Sequence, residues 1–159
     1  MKVTTEQEAF LQLAALCARS EHCQYEMTEK MRRWELGDDL QARVIARLVS
    51  DRYVDDERYA RAFVKDKIIY NKWGRRKIEQ ALWQKRIDED IRQQVLDEVD
   101  NEEYLSVLRP LLKQKRRTTK ANSDYEMNQK LMRFALGRGY TFDLIRQCLD
   151  IDDADELAE

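Results

Sequence analysis

An all-α fold of three tandem three-helix repeats is what this sequence predicts, from its composition, an internal repeat and the spacing of its apolar residues. The 159 residues include only four glycines and one proline. They are rich in Lys, Arg, Glu, Gln, Leu and Ala, which lose little rotamer freedom in a helix. Tyr25-Glu26-Met27-x-x-Lys30-Met31-x-Arg33-Trp34-x-Leu36-Gly37 recurs 100 residues later as Tyr125-Glu126-Met127-x-x-Lys130-Leu131-x-Arg133-Phe134-x-Leu136-Gly137. A weaker middle copy puts Ile78 and Leu82 in the places of Met27 and Met31, and Ile91, Val95, Leu96 and Val99 in those of Leu40, Val44, Ile45 and Leu48. The predicted units are residues 1–54, 55–100 and 101–150, with an acidic tail over 151–159.

The first helix opens on a capping box of Thr5 with Glu8. It carries Phe10, Leu13, Ala14 and Leu16 with Cys17 at helical spacing and ends near Ser20. Met27, Met31 and Trp34 form the buried stripe of the second helix, and Gly37 fits its C-terminal stop. Asp38 or Asp39 can cap the third, whose inward residues are Leu40, Val44, Ile45 and Leu48. The same grammar predicts helices near 56–71, 75–86 and 88–99, then near 101–117, 124–137 and 141–149, with a second capping box at Ser123 and Glu126. Pro110 falls inside the long helix of the last unit and predicts a kink or break there. Three short helices bury little surface alone, so the units are expected to pack on each other or share helices in an elongated, curved body.

Leu, Ile, Val and Phe number 37 of 159 residues, enough apolar side chain for a folded core despite the high charge. No apolar run reaches the roughly 20 residues of a membrane span and no secretory signal opens the chain, so a cytoplasmic protein is expected. Cys17, Cys23 and Cys148 form no disulfide set and, with His22 as the single histidine, no zinc pattern, so neither a metal nor another cofactor is expected. The net charge of −2 hides a polarity: −2 over residues 1–55, +1 over 56–100, +5 over 101–148 and −6 over 149–159. Lys65, Lys67, Lys72, Arg75, Arg76 and Lys77 face one acid, Asp66, and Lys113, Lys115, Arg116, Arg117 and Lys120 face none. Such runs point to a polyanionic partner, which the acidic tail could screen.

Asp55-Asp56-Glu57 could hold a magnesium ion in a nuclease, but the preferred reading is a helix cap with an acidic first turn. No Cys-His or Ser-His-Asp grammar and no Gly-rich phosphate loop is present, so no enzyme and no catalytic residue is expected. Tyr70 and Trp73 lie within the first basic run, a mixture that can neutralise phosphates, stack a base or meet an acidic protein surface. Lys30 with Arg33 and Lys130 with Arg133 put equivalent charges on a repeated surface, whereas Trp34 and Phe134 fall on the apolar stripes and are expected in the core.

The segment from Leu48 to Phe63, with Val54-Asp55-Asp56-Glu57-Arg58-Tyr59-Ala60 at its centre, resembles the most recognisable stretch of the RecX regulators. Gly74-Arg75-Arg76-Lys77-Ile78 with Leu82, and Phe134-Ala135-Leu136-Gly137-Arg138-Gly139-Tyr140, resemble later motifs of that family, so the likeness spans nearly the whole chain. It implies tandem three-helix repeats and a non-enzymatic activity of modulating RecA, commonly by inhibiting its filament assembly, strand exchange and ATP hydrolysis; a monomer whose basic faces meet DNA phosphates or acidic RecA surface along the filament is expected. The residues offered for that contact are Lys65, Lys67, Lys72, Arg75, Arg76, Lys77, Lys113, Lys115, Arg116, Arg117, Lys120, Arg133 and Arg138. Where the family has Lys-Gly before an aliphatic residue, this chain has Lys85-Arg86-Ile87, which casts doubt on a tight helix stop there. A sequence-specific, DNA-binding transcription regulator is the alternative.

Overall fold

A computed structural model describes residues 2–149, and every regular element among them is an α-helix. The tail over 151–159 lies outside the described residues. Helix α1 (Glu6–Arg19) starts where the Glu8 amide donates to Thr5 Oγ1 at 3.1 Å and the Thr5 hydroxyl donates back to the Glu8 carboxylate at 3.0 Å. With α2 (Gln24–Arg33) and α3 (Asp38–Ser50) it encloses Phe10, Leu13, Met27, Met31, Val44 and Leu48, and the half-buried Trp34, Leu40 and Ile45 pack against them. Each such side chain contributes about 1.5–3 kcal/mol on full burial.

Helices α4 (Asp56–Ile69), α5 (Arg75–Gln84) and α6 (Glu89–Asp97) form the middle of the chain. The Arg58 amide donates to Asp55 Oδ1 at 3.0 Å, so Asp55 caps α4 and Asp56 and Glu57 form its acidic first turn. Asp56 also accepts the Gln24 amide at 2.9 Å, and its carboxyl is held above the usual range, chiefly by burial. Helices α7 (Asn101–Thr118), α8 (Asp124–Gly137) and α9 (Phe142–Cys148) bury Tyr104, Leu105, Leu108, Leu112, Leu131, Met132, Leu144 and Ile145. The described residues divide into two compact units. One holds the chain up to Phe63 with Leu82–Gln93, and the other holds Val64–Ala81 with the chain from Gln94 onward.

The helices correct the sequence reading in three places. Gly37 does not stop α2; Glu35 takes the left-handed conformation at φ 60°, and Gly37 at φ −68° precedes α3, with no side-chain cap from Asp38 or Asp39. Those two acids sit in the first turn of α3, where the helix dipole favours them. Helix α8 ends at Gly137 as the sequence predicts, a turn beyond its counterpart, and the left-handed residue after it is Gly139. Pro110 does not break α7, which runs unbroken through it. The Ser123 box is half made, because Ser123 accepts the Glu126 amide at 3.1 Å but Glu126 accepts the amide of Asn122 instead.

The stop after α5 survives without its glycine. Arg86 sits at φ 56°, the Ile87 amide donates to the Leu82 carbonyl and the Arg86 amide to that of Trp83, which is the hydrogen-bond pattern of a left-handed helix end. Ile87 and Leu82 are both buried, so their contact holds the turn against the strain. Arg86→Gly is therefore expected to raise stability by about 1 kcal/mol, read as a higher urea midpoint. A lower midpoint would mean that the Arg86 guanidinium, 5.0 Å from the Tyr25 ring centre, contributes more than the strain removes.

Candidate polyanion-binding groove

The second unit gathers cations and rings by docking two turns. After α4 the Tyr70 amide donates to the Asp66 carbonyl and the Trp73 amide to that of Lys67, with Lys72 left-handed at φ 58° between them. The Gly74 amide then donates to the Arg138 carbonyl at 2.8 Å and the Arg76 amide to the Gly139 carbonyl at 3.0 Å. Such closeness requires two glycines. A Cβ on Gly74 would lie 2.4 Å from the Tyr140 nitrogen, and one on Gly139, at φ 96°, would lie 2.5 Å from the Lys77 Cβ. Two further bonds lock the junction: the buried Tyr140 hydroxyl donates to the Lys72 carbonyl at 3.0 Å, and Arg138 Nη1 donates to the Asn71 carbonyl at 3.1 Å. Burial pushes the Tyr140 hydroxyl up to about 12, so it remains a donor.

Beside this junction lies a groove of about 400 Å³, its wall completed by Leu111, Gln114, Lys115 and Thr118 of α7 and Phe134 of α8. Those α7 positions share one helical face, which is why Lys115 turns inward while Lys113, Arg116 and Arg117 are directed elsewhere. Lys115 Nζ stands 4.9 Å and Arg138 Cζ 5.2 Å from the Phe134 ring centre. Among the described residues no ion pair forms at Lys72, Lys115 or Arg138. Three positive charges stand around two rings without a paired carboxylate, which makes this a positively charged surface.

The remaining cations fall into other settings. Lys67 and Lys77 lie 5.1 and 4.8 Å from the Trp73 ring centre, and so cover the ring. Arg75 pairs with Asp97 at 2.7 Å. Arg75, Arg76 and Lys77 open α5 with no acid in its first turn, against the preference of the positive helix end. Arg76 is exposed there, and Lys65 is exposed on α4. Arg116 reaches Asn128 Oδ1 at 3.5 Å, and Lys113, Arg117, Lys120 and Arg133 are exposed away from the groove's lining. Phe134, expected in the core, is instead half-buried on the groove wall. Tyr70 was absent from the contact set, although an aromatic beside Lys72 with few acids near it was a legible signal.

Among the described residues no His, Cys, Asp and Glu cluster is placed to hold a metal. Burial raises the thiols of Cys17 and Cys148 and pushes that of Cys23 up to about 12, so they stay protonated near neutral pH. No described helix is long and apolar enough to cross a membrane.

Comparison with known proteins now gives the family. Residues 55–96 match the second three-helix domain of RecX and residues 102–149 the third. The regulatory protein RecX of Bacillus cytotoxicus is 29% identical over 144 residues, and that of Bacillus mycoides 26%. Those matches cover 91% of this chain and 53% of each relative, so the chain spans about half the length of the curated relatives it matches. The crystal structure of RecX from Lactobacillus salivarius superposes with a TM-score of 0.80 at 17% identity, over 90% of this chain and 93% of that one. A second, of a regulatory protein RecX, gives 0.84 at 17%, over 92% and 73%. With two of its three-helix units matched to RecX domains and its fold shared with RecX crystal structures, the chain belongs to the RecX family of regulatory proteins.

Proposed function

We propose that this chain modulates the RecA recombinase in the cytoplasm, inhibiting it by binding the RecA–DNA filament and so restraining recombination, DNA repair and the SOS response. The building blocks are the three repeats 1–54, 55–100 and 101–150, and the protein acts as a monomer without a cofactor. One observation carries the contact surface: Lys72, Lys115 and Arg138 meet around one groove with no carboxylate paired to them among the described residues. Such a surface fits a polyanion, whether DNA phosphates or acidic side chains on the filament. Arg76, exposed in the first turn of α5, is a further cation offered to the same partner.

The test is single-strand-dependent ATP hydrolysis by the cognate RecA, titrated with this protein. Hydrolysis is expected to fall at concentrations well below that of RecA, because one molecule lodged in a filament hinders many subunits. Arg76→Glu is expected to raise the half-inhibitory concentration about tenfold, the equivalent of one lost charge-assisted contact. It is a cleaner probe than reversal at Arg75 or Lys77, which pair with Asp97 and cover Trp73. No inhibition up to equimolar protein would remove RecA as the partner, and saturable preference for one duplex sequence would then favour a transcription regulator.

A further inference from the structure

We infer that the groove of the second unit holds one nucleotide of a single-stranded nucleic acid, with its own and the flanking phosphates on Lys72, Lys115 and Arg138 and its base against Tyr70. The inference rests on the groove being a contact surface, as proposed above, but not on RecA being the partner. Four features favour an unpaired strand. Tyr70 is 79% exposed on the groove's edge, so it contributes little to the core and its ring is open to solvent. Arg138 is tethered at the Asn71 carbonyl and Lys115 lies over Phe134, so two cations are positioned before any ligand arrives. Lys72 is held left-handed, a strained conformation kept in place by the Tyr140 hydroxyl on its carbonyl. Finally, about 400 Å³ is at the small end of ligand sites, which suits a nucleotide better than a helix of a protein partner.

A duplex offers only phosphates to such a groove, because its bases are already paired and stacked. A single strand can turn one base onto the exposed ring, and stacking of that kind tolerates any base. Single-strand binding should therefore combine a salt-dependent part from the three cations with a salt-independent part from Tyr70.

The experiment is fluorescence anisotropy of a labelled short oligothymidylate with the whole protein, without RecA, over a range of salt. Binding is expected to fall with a log–log salt slope of about −2, the value for three neutralised phosphates on a single strand. Lys72→Gln with Lys115→Gln, both exposed and outside the core, should flatten that slope by more than about one unit. Tyr70→Ala should weaken binding about tenfold and leave the slope unchanged, with no effect on a duplex of the same length. Equal loss on duplex and single strand, or no effect of Tyr70→Ala, would overturn the inference. So would absent oligothymidylate binding; if the lysine variants still relieved RecA inhibition, the groove would face an acidic protein surface and the filament reading would stand. Oligothymidylate binding as described with no effect on RecA would remove the filament reading and keep this one.

Discussion

Replacing Gly74 with alanine is expected to destabilise the protein by about 3 kcal/mol, near the upper end for overpacking. The added methyl would lie within 2.4–2.5 Å of the Tyr140 nitrogen, the Gly139 carbonyl carbon and the Tyr140 Cα. All three are backbone atoms, so no side chain can swing aside to make room. Relief requires the α4–α5 turn to part from the α8–α9 turn, which breaks the Gly74 to Arg138 and Arg76 to Gly139 hydrogen bonds. It would also loosen Lys72 from the Tyr140 hydroxyl, so loss of the groove should accompany loss of stability. Guanidinium unfolding gives the first quantity and the salt slope of oligothymidylate binding the second. Gly137→Ala is the control: nothing lies within 4 Å of its added carbon, the residue ends α8, and about 0.5–1 kcal/mol of stabilisation is expected. A Gly74→Ala protein as stable as its parent would show that the two turns do not meet in this way.

Pro110→Ala should do the opposite and stabilise by about 2 kcal/mol. A proline inside a helix costs about 3 kcal/mol against alanine, and part of that is offset because its stiff ring also restricts the unfolded chain. Helix α7 stays whole because Tyr104, Leu105, Leu108 and Leu112 are buried along one face, while Pro110 is exposed and the Ser106 carbonyl it leaves without a helical donor belongs to an exposed residue. Water can satisfy that carbonyl, so the missing bond weakens the helix without breaking it. Thermal unfolding should shift upward by about 4–8 °C. A downward shift would mean that the proline shapes α7 for its packing, and that alanine at this position forces a straighter helix than the core accepts.

Most of the helix pattern was legible in the chain because helix signals are local. Apolar residues three and four apart share a face whatever surrounds them, and an Asp or Thr three residues before an amide can cap it. Phe10, Leu13, Met27, Met31, Val44 and Leu48 are core residues for that reason, and Asp55 caps α4 as its acidic neighbours suggested. The same locality explains the misplaced stop at Gly37. A glycine is the preferred left-handed residue, yet Glu35, Arg52, Lys72 and Arg86 all adopt positive φ where a buried or half-buried residue just beyond the turn, or a docked neighbour, offsets the strain.

The groove was legible only in parts. Two basic runs stood out in the chain, but nothing in their order shows that Lys72 and Arg138 end up beside one another, 66 residues apart, or that Lys115 alone of its run turns toward them. Those facts depend on hydrogen bonds between turns distant in sequence, on two glycines thin enough to let backbones touch, and on the rotation of about 100° per residue that spreads a basic run around its helix. Repeat, helix content and charge are properties of short windows and survive reading in one dimension. Which cations share a groove, and whether Phe134 faces core or groove, is settled by packing between segments far apart in the chain.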